Sequence, residues 1–368
     1  MKIKEFKLER YFAKHEFTAK YLLSSSDCDG LPMQQILEMA TDAELSLWNN
    51  LTLGYTESEG SHLLREAILQ HYRIKDIRQV IVASPGELNF IAMNVLLEPG
   101  EHVITVSPGY QSLREVVHSL GCEISFWRPD PENWIFDVDD LNELIRKNTR
   151  LIIINFPHNP TGSYLTRSQM DAIIKIAREK NIYLFSDEMY RKLTISEMPE
   201  LIPACDLYEK GISLWGTSKT FGLAGLRLGW LVCRDIEFLK KVQSFKDYLS
   251  ICNSAPSEIL TLIALNHSEK IINPILERIK FNIQIFQAFA DRQHLIERFI
   301  PPRAGSIGLV KLNIKGSAAE WSDRLVKQTG IMSVPGEMFD YPGKYIRIGF
   351  GRADFGEALE HLSEYCSS

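Results

Sequence analysis

The sequence has no apolar run near the roughly 18–20 residues of a membrane-spanning helix. Its first residues, Met-Lys-Ile-Lys-Glu-Phe-Lys, lack the apolar stretch of a secretory signal. Basic residues are not in excess, because 41 Lys and Arg stand against 47 Asp and Glu, a formal net charge of −6. We therefore expect a cytoplasmic protein with neither a nucleic-acid nor a membrane partner.

Clustered cysteine, internal repeats and low-complexity segments are also missing. The six cysteines are scattered, with no CxxC pair and no His/Cys group at zinc spacing. We expect reduced thiols and no metal. No GxGxxG follows a predicted strand, which argues against a dinucleotide-dependent oxidoreductase. What remains is a chain of 368 residues, 45% hydrophobic, long enough for about two domains with their own cores.

The middle of the chain alternates short β-rich runs with amphipathic helical patterns. The helical pattern over residues 168–180 places Met170, Ile173 and Ile174 on one face. This alternation predicts an α/β fold with a doubly wound, mostly parallel sheet of seven strands. The predicted strands are Gln79–Ala83, His102–Ser107, Glu123–Trp127, Leu151–Phe156, Ile182–Ser186, Gly211–Trp215 and Leu228–Val232.

The pattern changes after about residue 235. Helical stretches are predicted over 235–250 and 257–299. A smaller α/β unit should follow, with strands at 307–312, 331–334 and 344–350 and helices at 318–329 and 355–365. We predict an N-terminal segment (1–45) packed with the small domain, a large domain (46–255), and a linking helix with the C-terminal small domain (256–368).

Unusual polar residues follow three of the predicted strands. Asn159 lies in Pro157-His158-Asn159-Pro160-Thr161-Gly162, Asp187 and Tyr190 follow the next strand, and Lys219 follows the one after. Taken singly, these features are typical of a turn, a helix cap or salt bridge, and a solvated lysine. Together they favour a ligand site, because ligands of doubly wound sheets bind beyond the carboxyl ends of the strands.

Two segments carry a resemblance to a known family. They are Asn155-Phe156-Pro157-His158-Asn159-Pro160-Thr161-Gly162 and Ser218-Lys219-Thr220-Phe221-Gly222-Leu223-Ala224-Gly225-Leu226-Arg227-Leu228-Gly229-Trp230. With them the chain resembles the class I/II aminotransferases, fold-type I enzymes that use pyridoxal 5′-phosphate (PLP). The resemblance spans about residues 54–349 and implies a large PLP-binding domain with a smaller α/β domain.

The resemblance assigns roles to five residues. Lys219 would form the Schiff base with PLP and move the substrate's Cα proton, and Asp187 would hold the ring nitrogen protonated. Tyr190 and Asn159 would bond the ring's phenolic oxygen, with Asn159 also near the substrate. Arg227 would bind the phosphate with its planar fork. The implied reaction is a ping-pong exchange of an amino group between an L-amino acid and a 2-oxo acid.

The phosphate should also bind the start of a helix, at the turn formed by Ser84, Pro85, Gly86 and Glu87. The chain departs from the family near Lys219. The family often has a hydroxyl residue three positions before the lysine, whereas this chain has Gly216 there. We expect Thr217 or Ser218 to supply the hydroxyl.

Further roles follow from the same resemblance. Tyr110 would stack on the PLP ring. Tyr55 would reach the phosphate bound by a partner subunit, which implies a homodimer with shared active sites. Arg347, on a predicted strand of the small domain, would bind the substrate's α-carboxylate, with domain closure favoured by substrate.

The amino donor is the open question. The early segment Ser24-Ser25-Ser26-Asp27-Cys28-Asp29 should pass near the substrate, where Asp27 or Asp29 would attract a cationic side chain. A capped turn in solvent is the ordinary alternative. The chain also resembles the capreomycidine synthases, PLP enzymes that cyclise a hydroxylated arginine. A PLP-dependent lyase, cyclase or oxidase acting on an arginine-like amino acid therefore stays open, and a non-catalytic PLP-binding regulator is a remote alternative.

Overall fold

The protein is described by a computed structural model covering residues 2–367. The strands described are β1 (Tyr21–Leu22), β2 (Val80–Ala83), β3 (His102–Val106), β4 (Glu123–Trp127), β5 (Thr149–Asn155), β6 (Tyr183–Asp187), β7 (Gly211–Gly216), β8 (Gly229–Cys233), β9 (Ile296–Phe299), β10 (Ile307–Leu312), β11 (Ile331–Met332), β12 (Val334–Pro335) and β13 (Tyr345–Gly349).

The α-helices described are α1 (Lys7–His15), α2 (Met33–Glu38), α3 (Asp42–Asn49), α4 (His62–Leu69), α5 (Pro85–Leu96), α6 (Ser112–Ser119), α7 (Val138–Glu143), α8 (Arg167–Glu179), α9 (Ala204–Leu207), α10 (Ile236–Lys246), α11 (Ala255–Asn266), α12 (Ser268–Ala290), α13 (Ala318–Thr329) and α14 (Phe355–Ser367). No helix among residues 2–367 combines the length and apolar character needed to cross a membrane.

A seven-stranded sheet forms the centre of the molecule, in the order β2-β8-β7-β6-β5-β3-β4. Only β8 runs antiparallel to its neighbours β2 and β7. The predicted mostly parallel sheet is confirmed, and each of its seven predicted strands is present within one or two residues. The apolar run Leu151–Ile154 of β5 is at most 1% exposed, as expected for a strand covered on both faces.

The C-terminal unit is built on a four-stranded antiparallel sheet, β12-β13-β10-β9. The helical stretch predicted over 257–299 is present as α11 and α12, which are separated at His267, but its end was wrong, because residues 296–299 form β9. Four residues, 296–299, are too few for their periodicity to distinguish helix from strand. Pairing with β10 selects the strand. The single strand predicted at 331–334 divides into β11 and β12, which pair in different sheets.

The N-terminal segment contacts both units. Strand β1 pairs in parallel with β11 of the small unit. The backbone N–H of Lys7 donates to Gln111 Oε1 of the large unit over 3.0 Å, and Glu44 of α3 accepts a hydrogen bond from Asn266 of α11. The domain boundaries near residues 46 and 256 stay a prediction.

Candidate active site

A cavity of about 400 Å³ opens at the carboxyl ends of β5, β6 and β7. Its lining residues come from the large sheet and the start of α5, and also from α1 and residues 26–27. The predicted site residues on its walls are Lys219, Asp187, Tyr190, Asn159, Arg227, Tyr110, Ser218, Pro85, Gly86 and Asp27. Parallel strand ends thus bring together residues that lie far apart in sequence.

Lys219 is placed by the turn that follows β7. Its Nζ donates a hydrogen bond to Ser26 Oγ over 2.9 Å. Burial lowers the pKa of Lys219, and nearby Arg347 adds to this effect, whereas Asp27 opposes it. A lysine in this environment gives up its proton more readily than one in solvent, as a nucleophilic amine requires.

Asp187 is the last residue of β6 and is 7% exposed. Its Oδ1 accepts a hydrogen bond from the backbone N–H of Met189 over 3.1 Å. Burial raises the pKa of Asp187 to about 7 in the protein alone. A cation beside the carboxylate would lower that pKa again, so the site suits a positively charged ring nitrogen.

Tyr190 supplies the clearest test of whether PLP fits. The residue is 2% exposed, and its hydroxyl has no hydrogen-bond partner among residues 2–367. Such a buried, unpaired hydroxyl is costly unless a ligand completes it. Asn159 lies on the same wall, and its Oδ1 accepts from Arg347, which leaves the amide Nδ2 to donate toward a ligand. These donors fit the phenolic oxygen of PLP.

The start of α5 forms the opposite end of the cavity. Pro85 is the first residue of the helix, and Ser84 caps it by accepting a hydrogen bond from the Glu87 N–H. The Glu87 carboxylate accepts from Ser250 Oγ over 2.6 Å. Of the four predicted phosphate-turn residues, only Pro85 and Gly86 reach the cavity wall.

The structure distinguishes between the two candidate hydroxyls beside Lys219. The Thr217 hydroxyl donates to the carbonyls of Leu223 and Leu228, away from the cavity, whereas Ser218 lies on its wall. Position 216 has no room for a side chain, because a Cβ there would stand 2.9 Å from Gly229 Cα and 3.1 Å from Pro85 Cγ.

Arg227 lines the mouth of the cavity and is exposed. Its backbone lies in the left-handed region, with φ of +53°. A non-glycine residue in that region is strained, and such strain is frequent at ligand sites. Its Nη1 donates to the carbonyl of Ala224 over 3.2 Å, and the residue lines the same cavity as Gly86 and Ser218.

Tyr110 contacts helix α1 and the residue before it directly. The Tyr110 hydroxyl donates to Glu9 Oε1 over 2.9 Å, and its ring lies 5.0 Å from that of Phe6. The ring therefore stands on the cavity wall with one edge fixed by the N-terminal segment.

Arg347 lies behind the cavity wall and is completely buried. Its Nη1 donates to Asn159 Oδ1 over 3.2 Å, and its Nη2 donates to the carbonyl of Ser24 over 2.9 Å. The guanidinium thus reaches the cavity through Asn159. A substrate carboxylate would meet it only after Asn159 or the Ser24 segment gives way.

Of the remaining three predicted residues, one lines the cavity and two do not. Asp27 lies on the cavity wall and pairs with Arg352 over 3.2 Å. Asp29 does not line the cavity, because its carboxylate pairs with Arg278 and Arg352. Tyr55 is outside the cavity and 91% exposed.

Sequence reasoning missed several cavity residues. Five come from the N-terminal segment, and the other seven lie in or next to elements of the large unit. They are Leu8, Glu9, Phe12, Glu16, Ser26, Asn89, Ser112, Leu113, Asn155, Met189, Leu214 and Ala224. The four-residue spacing of Leu8, Phe12 and Glu16 was an available sign of one helix face.

Comparisons with known proteins agree with this geometry. Residues 18–362 match the family described as aminotransferase class I and II. Capreomycidine synthase of Streptomyces vinaceus is 27% identical over 365 residues, covering 97% of this chain and 92% of that protein. An aspartate aminotransferase of Sulfurisphaera tokodaii is 27% identical over 338 residues, covering 85% and 82%. A PLP-dependent aminotransferase structure from Streptococcus suis has a TM-score of 0.92 at 28% identity, covering 99% and 98%.

Proposed function

The chain belongs to the class I and II aminotransferases and is a PLP-dependent enzyme of fold type I, and we propose that the cavity around Lys219 is its active site. The observation that carries this proposal is the convergence of Lys219, Asp187 and the unpaired Tyr190 hydroxyl in one cavity. The substrates are an amino acid and a 2-oxo acid.

PLP, when bound, supplies an electron sink that makes the Cα–H bond of an amino acid acidic. Lys219 would hold the cofactor and then move the proton between Cα and the cofactor carbon that receives it. Its lowered pKa favours the neutral amine that the first proton transfer needs. Asp187 would keep the ring nitrogen protonated, and Tyr190 and Asn159 would donate to the phenolic oxygen.

The phosphate would lie at the start of α5, where Gly86, Ser218 and Arg227 line the cavity. The helix N-terminus and the arginine both favour an anion. Tyr110 would stack on the ring, and Arg347, reached through Asn159, would bind the α-carboxylate of the substrate.

We further propose that two copies of the chain form a homodimer with shared active sites. Leu53, Tyr55 and Tyr248 are exposed apolar side chains, each at least 85% accessible. Their segments are joined, because Lys246 Nζ donates to the carbonyls of Ser58 and Ile251. Large apolar side chains exposed on neighbouring segments favour association with a partner chain. A cytoplasmic location is part of the proposal, supported by the six free thiols.

A lyase, cyclase or oxidase reaction on the same scaffold is the second candidate. It is favoured by the similarity to capreomycidine synthase, which extends over 97% of this chain. The PLP-binding residues are compatible with either reaction, so the products decide between them.

The decisive experiment is a half-reaction screen of the PLP-loaded enzyme. Each common amino acid, with ornithine and hydroxyarginine, is added without a 2-oxo acid, and the products are identified by mass. Pyridoxamine phosphate with a matching 2-oxo acid is the expected result and names the donor. A dehydrated or cyclised amino acid with PLP regenerated would instead assign the second candidate.

A further inference from the structure

Three acidic residues of the N-terminal segment line the same cavity as the proposed PLP-binding residues. They are Glu9, Glu16 and Asp27. Glu9 accepts a hydrogen bond from Tyr110, and Asp27 pairs with Arg352. The Glu16 carboxylate has no hydrogen bond or ion pair among residues 2–367.

Glu16 is the least satisfied of these groups. Burial raises its pKa, and the neighbouring charge of Asp27 raises it further, against smaller opposing effects of Arg352 and Lys219. Two carboxylates that share a partly buried wall repel each other, and a cation placed between them would stabilise both charges. Glu16 also ends helix α1, where the backbone carbonyls favour a positive charge.

The same helix face supplies an apolar path toward Glu16. Leu8, Phe12 and Glu16 follow at four-residue spacing, and all three line the cavity. Residues at this spacing form a row on one side of a helix. An apolar row that ends in a carboxylate matches a side chain with an aliphatic stem and a charged end, as in lysine and arginine.

The cavity that these acidic residues line also contains a buried polar group without a partner. Tyr190, 2% exposed and lining the same cavity, keeps its hydroxyl without a partner among the described residues. An amino donor with its amino group at Lys219 and its carboxylate toward Asn159 and Arg347 must extend its side chain elsewhere. The acidic residues of α1 and of the segment after it lie in the part of the cavity that remains for this side chain.

We infer that Glu16, with Asp27 and Glu9 beside it, binds the positively charged end of the amino donor's side chain, an ammonium or a guanidinium. The inference rests on the proposed function, because it takes the cavity around Lys219 as the active site. A charge-assisted hydrogen bond in this setting contributes about tenfold to a hundredfold in affinity.

The test compares matched donors in the first half-reaction of the PLP-loaded enzyme. L-Arginine is paired with L-citrulline, and L-lysine with L-norleucine, so that each pair differs chiefly in charge. The wild-type enzyme should prefer the charged member of at least one pair by about tenfold or more in kcat/KM. The preferred pair identifies guanidinium or ammonium as the ligand.

Glu16→Gln should reduce that preference to about threefold or less, because the carboxylate charge is lost while the side chain keeps its size. Glu38→Gln on α2 is the matched control, because it removes an equal charge from an exposed site and should keep the preference. Calorimetric titration of L-arginine and L-lysine into PLP-loaded Lys219→Ala protein, with and without Glu16→Gln, measures binding apart from turnover.

Equal or better use of the neutral donors by the wild-type enzyme would overturn the inference and leave the aminotransferase assignment standing. Equal preference in Glu16→Gln and wild type would overturn it as well. Tight binding of the cationic donor that depends on Glu16, without amino transfer from any donor, would support the inference and overturn the proposed reaction.

Discussion

Lys219 Nζ donates a hydrogen bond to Ser26 Oγ over 2.9 Å, although 193 residues separate the two in the chain. The bond joins the loop after β7 to the N-terminal segment, whose residues also line the cavity. The proposed catalytic amine is therefore positioned by both parts of the structure.

Replacing Lys219 by alanine tests the attachment of the cofactor. Lys219→Ala should abolish the visible absorbance that PLP acquires on bonding to a protein amine. The reason is that, among the described residues, Lys219 is the only lysine that lines the cavity. Absorbance spectroscopy of the loaded protein measures this directly. Lys210→Ala is the control and should keep the spectrum, because Lys210 is a half-buried lysine bonded to Asn181 and does not line the cavity. An unchanged spectrum in Lys219→Ala would refute the site.

Asp187 should make the stability of the cofactor-free protein depend on pH. Its pKa in the folded state is raised from 3.8 to about 7, so the folded protein holds the proton more tightly than the unfolded chain. The contribution of this carboxyl to stability is complete below about pH 4 and is lost as the pH rises through 7.

Asp187→Asn cannot ionise, so its Tm relative to that of the wild-type protein should rise between about pH 5 and pH 8, by on the order of 1–3 °C. Calorimetry of the cofactor-free proteins measures the difference. With PLP added, the variant should gain less stability than the wild type, because the ring nitrogen loses its anionic partner. A pH-independent difference in Tm would contradict the assignment of the raised pKa.

Arg347 should act on the substrate more than on the cofactor. Arg347→Lys keeps a charge but loses the planar fork that donates to Asn159 and Ser24. We expect KM for the amino donor to rise about tenfold to a hundredfold, with the Kd for PLP changed by less than about threefold. Steady-state kinetics and fluorescence titration with PLP give the two values. Loss of PLP binding with KM unchanged would place Arg347 in the cofactor site instead.

The exposed apolar surface formed by Leu53, Tyr55 and Tyr248 should hold the homodimer together. Leu53→Asp combined with Tyr248→Asp should produce monomers, because two charges would be buried without partners in the interface. Sedimentation velocity measures the mass in solution. Phe281→Asp, at an exposed aromatic residue on α12, serves as the control and should remain dimeric. A wild-type monomer would refute the proposed shared active site.

Tyr55 offers a finer test of the shared site. Tyr55→Phe removes only the hydroxyl and should weaken PLP binding by about threefold to tenfold without changing the sedimentation coefficient. Unchanged PLP affinity would mean that the Tyr55 hydroxyl does not reach the phosphate of a partner subunit.

The proposed cofactor residues were accessible from the sequence because local patterns carry them. Asn159, Asp187 and Lys219 each follow an apolar strand, and parallel strands end at the same edge of the sheet. The strand at residues 296–299 could not be predicted from the sequence, because four residues are compatible with helical and with strand periodicity. Pairing with β10 selects the strand.

The sequence by itself determined the family, the seven-stranded sheet and the residues proposed to face the cofactor, since these depend on short-range periodicity and on motifs at strand ends. Only the tertiary structure decided that Glu16 joins the cavity, that Asp29 is held away from it by Arg278 and Arg352, and that Arg347 stands behind Asn159. The physical reason is that these positions depend on how the N-terminal segment packs across both units, a long-range arrangement that no local pattern encodes.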